Sequence, residues 1–260
     1  MFKKNSTIMF LTTSVLMLSA CEQVETLFDS SPDTEETQSI TSESQTDEQK
    51  QLLDSLPEDS SSTDWELILV NPEVKLPEDF TVNIETVDNQ QQIDERIIEA
   101  WVEMKEAAFE DGHELFFASG YRSVEEQEVN FKNTYQEHLT DGLSEEEALE
   151  ETKTYLTEPG HSEHHTGLAL DIVDGPWIVA GRGLEQSYET QESYDWLIDN
   201  MSDYGFILRY PEGKENITQI AYEPWHFRYV GVENAKFMEE HSLVLEEYIV
   251  LLEEREGQTS

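Results

Sequence analysis

The segment GHSEHHTGLALDI, residues 160–172, constrains the fold of this chain more than any other. It places three of the chain's 7 histidines within five positions and follows them with a glycine, an alternating apolar run and Asp171. Alternate side chains of a strand share a face, so a strand over residues 167–173 puts the leucines and isoleucine opposite Asp171. The aspartate then lies beside glycine and alanine, which leave room for an ion, a ligand or another side chain.

A second pattern lies near the C-terminus, in the sequence YEPWHFRYVG at residues 222–231. Strand alternation there predicts three aromatic residues toward the core, with His226 and Arg228 on the opposite face. Pro224 cannot donate a hydrogen bond to a neighbouring strand, so the regular strand is expected to begin after it. Glu223 then lies on the incoming loop, where its carboxylate is free to turn toward a bound metal.

Together these residue types fit an open metal centre. Two neutral imidazoles and one carboxylate, with water in the fourth position, form zinc sites used in hydrolysis, and an unligated glutamate can take the proton from that water. The alternative interpretation is structural, because a lone histidine is more often a core or surface residue and such a segment can be a solvated loop. Spacing alone leaves the choice between His164 and His165 open.

The N-terminus has the pattern of an export signal. Two lysines precede an apolar run over residues 8–18 that is too short to span a bilayer comfortably. The following sequence, LSAC, resembles a bacterial lipobox, in which Cys21 becomes the lipid-bearing first residue of the mature protein. We therefore predict a lipoprotein signal peptide over residues 1–20 and a lipid anchor on the outer face of the cell membrane. An uncleaved anchor helix is the alternative.

The region after the signal differs sharply in composition from the rest. Cys21 is the only cysteine, which excludes an intramolecular disulfide and a thiolate metal cluster. Residues 21–63 are rich in Ser, Thr, Gln, Asp and Glu and have almost no apolar periodicity, which predicts a disordered acidic tether. The folded domain is predicted over residues 64–252, followed by a C-terminal tail over residues 253–260.

The charge of the chain limits its partners. It carries 15 basic and 58 acidic residues, a formal net charge of −43 at pH 7. Such a protein does not bind nucleic acid by neutralising phosphates, and anionic lipid headgroups repel it. Contact with the membrane is therefore expected through the N-terminal lipid only. A solvated surface suited to salty or alkaline surroundings is favoured over an acidic recognition patch, and we expect a monomer.

Local signals predict short strands interspersed with helices. Serine three residues before glutamate, at Ser123 and at Ser144, has the spacing of a capping box and predicts two helix starts. A further helix is expected after an N-cap at Asp94. The pattern indicates a single α+β domain with a small, mostly antiparallel sheet flanked by helices. Strands are predicted at DWELILVNP, ELFFASGYRS and residues 168–173, 206–210 and 225–229.

The sequence contains three ordered blocks: SGYRS at residues 119–123, SxHxxGxAxD at Ser162, His164, Gly167, Ala169 and Asp171, and ExxH at Glu223 and His226. Together they resemble the VanY-type zinc D-alanyl-D-alanine carboxypeptidases, a family that includes L,D-carboxypeptidases. The resemblance extends over about residues 65–252 and implies a Hedgehog/DD-peptidase-like fold. It also implies peptidoglycan stem peptides as the substrate and a C-terminal D-alanine as the residue removed.

The resemblance also implies roles for individual residues. It implies Zn²⁺ as the cofactor, with Glu223 as the general base and Arg122 steadying the scissile carbonyl or its oxyanion. One departure concerns His165, because many relatives have glutamine after the ligand histidine. The implied zinc ligands are His164, Asp171 and His226. The implied substrate contacts are Ser119, Tyr121, Gln127 and Ser162.

Two other functions compete with the carboxypeptidase. The first is a zinc endopeptidase that cuts within the stem or cross-bridge. It would use the same metal chemistry and differ from the carboxypeptidase only at the closed end of the substrate pocket. A non-catalytic wall-binding lipoprotein is the other alternative, but mere binding needs neither Glu223 as a base nor Arg122 as an oxyanion partner. Neither GxSxG nor SxxK occurs in the sequence, which argues against a serine-type enzyme. The sequence does not separate D,D from L,D specificity.

Overall fold

A four-stranded antiparallel sheet carries both histidine-containing motifs. The structure, a computed structural model, describes residues 49–259. Its strands are β1 Ile84–Thr86, β2 Gln92–Asp94, β3 Leu115–Ser119, β4 Ala169–Asp174, β5 Phe206–Leu208 and β6 His226–Tyr229. The main sheet has the order β3-β4-β6-β5, and β1 pairs with β2 in a separate small sheet. The predicted α+β class with a small antiparallel sheet is confirmed.

The register of β4 brings the two motifs side by side. β4 lies between β3 and β6 and runs antiparallel to both. Asp171 is paired with His226 on β6 and with Ser119 on β3. The apolar residues that alternate with Asp171 are buried in the core, as the sequence predicts: Leu168, Leu170 and Ile172.

Helices surround the sheet, and local capping signals set several of their starts. The Ser123 and Ser144 side chains each accept a hydrogen bond in a complete capping box, as predicted. Asp94 caps a short 3-10 turn that leads into α2. The helices are α1 over residues 49–54, α2 Ile98–Glu110, α3 Val124–Thr140, α4 Glu145–Tyr155, α5 Gly175–Val179, α6 Glu192–Asn200, α7 Glu215–Thr218, α8 Val232–Glu240 and α9 Leu245–Thr259.

Apolar side chains form two buried clusters. The first packs α2 and α6 against the main sheet, with Trp101, Phe117 and Phe227 fully buried. The second joins α1 to α8 and α9 and includes Tyr248 and Leu252. The strands β4 and β6, which carry Asp171 and His226, rest on the first cluster, so this packing fixes the backbone from which these side chains project.

The segment DWELILVNP is not a strand, contrary to the prediction. Residues Trp65–Leu67 form a 3-10 turn, and no ladder follows them in the structure as far as it is described. The guanidinium of Arg228 donates hydrogen bonds to the carbonyls of Glu66 (2.9 Å) and Ile68 (2.8 Å). A buried arginine from β6 therefore takes the acceptors that a neighbouring strand would otherwise use.

The packed domain extends beyond the predicted limits at both ends. Part of the predicted tether is ordered, because α1 buries Leu53, and Leu56 beyond it is also buried, both against the C-terminal helices. α9 continues past residue 252, and Arg255 in it donates a hydrogen bond to the carbonyl of Pro57 at 2.8 Å. Within the described residues, the stretch 49–63 therefore packs with the domain and does not form a separate tether, since its apolar and hydrogen-bonding groups have partners there.

Several predictions fall outside the described residues. The signal peptide over residues 1–20, Cys21 and the tether as far as residue 48 are among them. Among the helices of residues 49–259, none combines the length and the apolar character that a membrane crossing requires.

Candidate active site

Three side chains from separate elements converge on one buried point. His164 lies in a 3-10 turn, Glu163–Thr166, that precedes β4, whereas Asp171 lies on β4 and His226 begins β6. Each offers a ligand atom, and these atoms all lie within 4.8 Å of one another. The Nε2 atom of His164 is 3.4 Å from Oδ2 of Asp171, and Nδ1 of His226 is 3.2 Å from Oδ1.

The SGYRS block orients the first histidine. Nδ1 of His164 lies 2.7 Å from the carbonyl oxygen of Gly120, which can only accept, so the ring nitrogen donates. The lone pair of Nε2 then faces Asp171. The backbone N–H of Arg122 donates to the carbonyl of His164 at 3.1 Å, which joins the block to the histidine turn.

The protonation states of His164 and Asp171 suit a divalent cation. Burial lowers the pKa of His164 to about 3, so its imidazole is neutral. Burial raises the pKa of Asp171, but His164 and His226 outweigh it, and the net pKa is lowered. Oδ1 of Asp171 is buried and has no hydrogen-bond partner among the described residues. A buried carboxylate that has an unpartnered oxygen and an imidazole nitrogen near each of its two oxygens fits a metal ion.

Glu223 lies against the same cluster. The residue is 5% exposed, and its Oε2 is 3.4 Å from Nδ1 of His226. Its backbone N–H donates to the carbonyl of Tyr210 at 3.1 Å, which fixes the loop before β6. Burial raises the pKa of Glu223 to about 7, although His226 opposes the shift. A carboxyl group with a pKa near neutrality can both accept and return a proton.

Arg122 contributes a cation to the cavity beside the cluster. Its Nη1 donates to Oε1 of Gln127 at 2.8 Å, and its Nη2 donates to Oγ of Ser119 at 3.0 Å. The amide of Gln127 donates in turn to the carbonyl of Thr157 at 2.7 Å. The cavity has a volume of about 180 Å³ and is also lined by Ser162.

One candidate substrate contact lies elsewhere. Tyr121 does not line this cavity but borders a separate groove with Pro77 and Gly160. Its backbone N–H donates to the carbonyl of Gln92 at 2.6 Å, which holds the residue on the side of the β1–β2 sheet. Ser119 also lies outside the cavity lining and reaches it through its bond to Arg122.

The neighbouring histidines have other partners. Nδ1 of His165 donates to the carbonyl of Arg122 at 2.7 Å, and the N–H of Gly160 donates to its Nε2 at 3.1 Å. Both ring nitrogens are thus occupied. His161 contacts the carbonyl of Asn71 through Nδ1 at 2.9 Å. Of the two histidines that spacing leaves open, His164 is therefore the one that lies in the cluster with Asp171 and His226.

Sequence reasoning missed Glu163. This side chain is fully buried, and its Oε1 accepts hydrogen bonds from Arg209 at 2.7 Å and from Arg228 at 2.6 Å. Burial raises its pKa, but the two arginines hold the pKa well below its usual range. Its other oxygen, Oε2, is 3.5 Å from Nε2 of His226. A usable signal existed, because an arginine predicted on the same strand face as His226 needs a carboxylate partner.

Comparison with known proteins agrees with this arrangement. A sequence model of the VanY family, described as D-alanyl-D-alanine carboxypeptidase, matches residues 90–232. A D-alanyl-D-alanine carboxypeptidase of Enterococcus faecalis is 37% identical over 202 residues, which cover 77% of this chain and 72% of the relative.

Solved structures of related carboxypeptidases are also similar to this chain. A vancomycin resistance D,D-pentapeptidase VanY in complex with Zn(II) superposes with a TM-score of 0.65 at 37% identity and covers 72% of this chain and 99% of that one. The LD-carboxypeptidase LdcB has a TM-score of 0.62 at 34% identity and covers 72% of this chain and 86% of that one. The family model covers more than half of the chain, and it includes the histidine turn, Asp171, Glu223 and His226. The chain therefore belongs to the VanY family of D-alanyl-D-alanine carboxypeptidases.

Proposed function

We propose that this protein is a zinc-dependent carboxypeptidase that removes a C-terminal D-alanine from peptidoglycan stem peptides. The observation that carries the proposal is the contact between the His164, Asp171 and His226 cluster and Glu223, whose pKa is about 7. A metal site with a proton-exchanging carboxylate at its edge is the arrangement that amide hydrolysis needs. The activities and the zinc of the relatives named above support the same chemistry.

His164, Asp171 and His226 hold the metal in this proposal. Zinc bound by such a set lowers the pKa of a water toward neutrality and polarises a carbonyl. Glu223 accepts the proton of the attacking water while the new C–O bond forms. It then passes that proton to the leaving amine as the C–N bond breaks, so the net reaction is hydrolysis with no group left on the enzyme.

Arg122 supplies the positive charge for the substrate side. Its guanidinium is held by Gln127 and Ser119, so its position is set before a substrate arrives. From there it can donate to the scissile carbonyl or to the terminal carboxylate of the substrate. An enzyme that removes a single C-terminal residue must recognise that carboxylate. Ser162, only 4% exposed, offers a further hydroxyl at the same cavity.

Product analysis of defined substrates tests the proposal directly. The zinc-loaded protein is incubated with pentapeptide and tetrapeptide stems, and released D-alanine and the shortened peptides are identified by mass spectrometry. Release of D-alanine from the pentapeptide indicates D,D activity, and release from the tetrapeptide indicates L,D activity. Internal fragments would show an endopeptidase instead. Tight muropeptide binding without any cleavage would replace the enzyme by a wall-binding protein.

Glu223→Gln separates catalysis from metal binding. The amide keeps the shape of the side chain but cannot accept a proton, so kcat is expected to fall by about 10²- to 10⁴-fold while the zinc content stays at the wild-type level. Arg122→Ala should also retain zinc and lose activity. Zinc content is measured in parallel for every variant. Full turnover by the Glu223→Gln protein would remove Glu223 from the mechanism.

We also propose that Cys21 carries the lipid that anchors the protein outside the cytoplasm. The support is the sequence alone, namely the short apolar run, LSAC and the acidic region that follows. Cys21→Ala is expected to abolish fatty-acid labelling and membrane fractionation while leaving peptidase activity intact. Persistent membrane association of that variant would favour an uncleaved anchor helix.

A further inference from the structure

A buried network of ion pairs lies directly behind the metal cluster, that is, behind the side chains of His164, Asp171 and His226. Arg209 and Arg228 are fully buried, and both donate to Oε1 of Glu163. Arg209 also donates through Nη1 and Nη2 to the carboxylate of Glu246 on α9, at 2.8 and 2.6 Å. Two guanidinium groups therefore meet two carboxylates, and Oε1 of Glu163 is saturated by arginine donors.

The second oxygen of Glu163 faces the metal cluster. Oε2 lies 3.5 Å from Nε2 of His226, and neither atom has a hydrogen-bond partner among residues 49–259. The other ring nitrogen, Nδ1, faces Asp171 at 3.2 Å and Glu223 at 3.4 Å. The imidazole of His226 thus has Glu163 at its Nε2 side and the carboxylates of Asp171 and Glu223 at its Nδ1 side.

We infer that Glu163 is a positioning residue that keeps the proton of His226 on Nε2, so that Nδ1 presents its lone pair to the metal. The inference rests on the zinc site of the proposed function and deepens it. A carboxylate can only accept from a neutral imidazole, so the tautomer that satisfies both Oε2 and Nε2 is the one with Nε2 protonated. Carboxylates behind metal-bound histidines set the ring orientation and the ligand tautomer in this way.

The two arginines explain why Glu163 does not become a ligand itself. Both hold Oε1, and Arg228 is further tied to the carbonyls of Glu66 and Ile68. With Oε1 fixed, only Oε2 is directed at His226. Replacing buried ion pairs by apolar residues is often neutral or stabilising, so fold stability alone gives little reason for two buried arginines at this place. Holding the carboxylate of Glu163 in one position gives a reason for both arginines.

Zinc affinity of Glu163→Gln tests the inference. The variant keeps the side-chain shape but removes the negative charge behind His226, and its zinc affinity is expected to be about 10- to 100-fold weaker than that of the wild type. Glu246→Gln is the matched control, because it makes the same change on the far side of Arg209 without contacting His226. Its affinity is expected to stay at the wild-type value. Affinity is measured by competition with a chromophoric chelator.

The tautomer of His226 provides a measurement that needs no variant. Nitrogen NMR of the zinc-loaded wild-type protein should show a metal-bound Nδ1 and a protonated Nε2 for this ring. A ring bound through Nε2 would overturn the inference, as would equal zinc affinities of the two glutamine variants. If Glu163→Gln does not fold, the NMR result decides. A wild-type protein that binds no zinc would instead refute the proposed function.

Discussion

At the residue scale, adjacent histidines of one segment have different partners. His164 turns its Nε2 toward Asp171, whereas both nitrogens of His165 bond to backbone groups of Arg122 and Gly160. His165 thereby holds the carbonyl of the residue whose guanidinium lies in the cavity. A histidine can satisfy two such groups because its neutral ring is a donor at one nitrogen and an acceptor at the other.

Alanine substitutions should separate the two histidines. His164→Ala is expected to lose zinc, because it removes a metal ligand. His165→Ala should retain zinc but lower the free energy of unfolding by about 1–3 kcal/mol, because two backbone groups lose their partner. Metal analysis and urea unfolding check both results, with the exposed His241→Ala as the control. Zinc content that follows His165 would reverse the assignment.

Zinc binding is expected to release protons near pH 7. Burial lowers the pKa of His226, but the carboxylates of Asp171, Glu163 and Glu223 around its ring outweigh burial and raise the pKa well above its usual value. Burial also raises the pKa of Glu223 to about 7. The metal-free site therefore holds protons that a cation displaces, and zinc affinity should rise with pH.

An indicator-dye titration in weak buffer measures this proton release. His164 contributes none of it, since its lowered pKa of about 3 leaves it neutral in both states. Zinc binding without proton release at pH 7 would contradict the raised pKa values of His226 and Glu223.

At the scale of elements, one turn sets the distance between two cluster residues. Gly167 ends the 3-10 turn that holds His164, with φ of +72°, and β4 with Asp171 follows. Its carbonyl accepts a hydrogen bond from the N–H of Asp94 at 3.0 Å. A Cβ at this position would lie 2.9 Å from that same nitrogen. The turn therefore needs glycine for both its backbone conformation and its contact with β2.

Gly167→Ala is expected to lower the free energy of unfolding by more than about 1 kcal/mol and to weaken zinc binding, because the turn must move away from Asp94. Gly112→Ala is the matched control, since that glycine also has a positive φ, of +97°, but no neighbour within 4 Å of an added Cβ. In the control, only the strained backbone conformation should lower the free energy of unfolding, and the zinc affinity should stay unchanged. Equal losses in both variants would show that the contact with β2 contributes nothing.

At the scale of the whole molecule, residues 49–63 complete the second apolar cluster. Leu56 is 4% exposed and packs with residues of α8 and α9. The sheet that carries the metal cluster belongs to the first apolar cluster. The apolar contacts of Leu56 are therefore separate from those that support the sheet of the site. The monomeric state and the absence of nucleic-acid binding stay predictions.

Leu56→Ala is expected to lower the free energy of unfolding by about 2–5 kcal/mol, because it leaves a cavity in the second cluster. Leu149→Ala makes the same change at a leucine that is 40% exposed on α4 and should have a much smaller effect. Both variants should bind zinc like the wild type. Denaturant unfolding measures the difference, and similar stabilities would mean that the segment before residue 64 is not part of the cooperative domain.

Features that depend on neighbours along the chain could be predicted from the amino-acid sequence. Alternation of apolar residues placed Asp171 in a strand, and serine–glutamate spacing located the starts of α3 and α4. The motifs pointed to Asp171, Glu223 and His226 as residues of one site, but their spacing left His164 and His165 as alternatives. Periodicity, capping and motif spacing act over a few residues, so they are visible in a single sequence.

Features that depend on partners distant in sequence emerged only from the packing of the folded chain. The carbonyls of Glu66 and Ile68 bond to Arg228, 160 or more positions away, so a segment with strand composition forms no strand. Glu163 stands at a position where the motif SxHxxGxAxD names no residue, and its importance appears only in the folded chain, where Arg209 and Arg228 contact it. Nothing local distinguishes a buried charge from a solvated one, because burial and pairing are set by how distant elements pack.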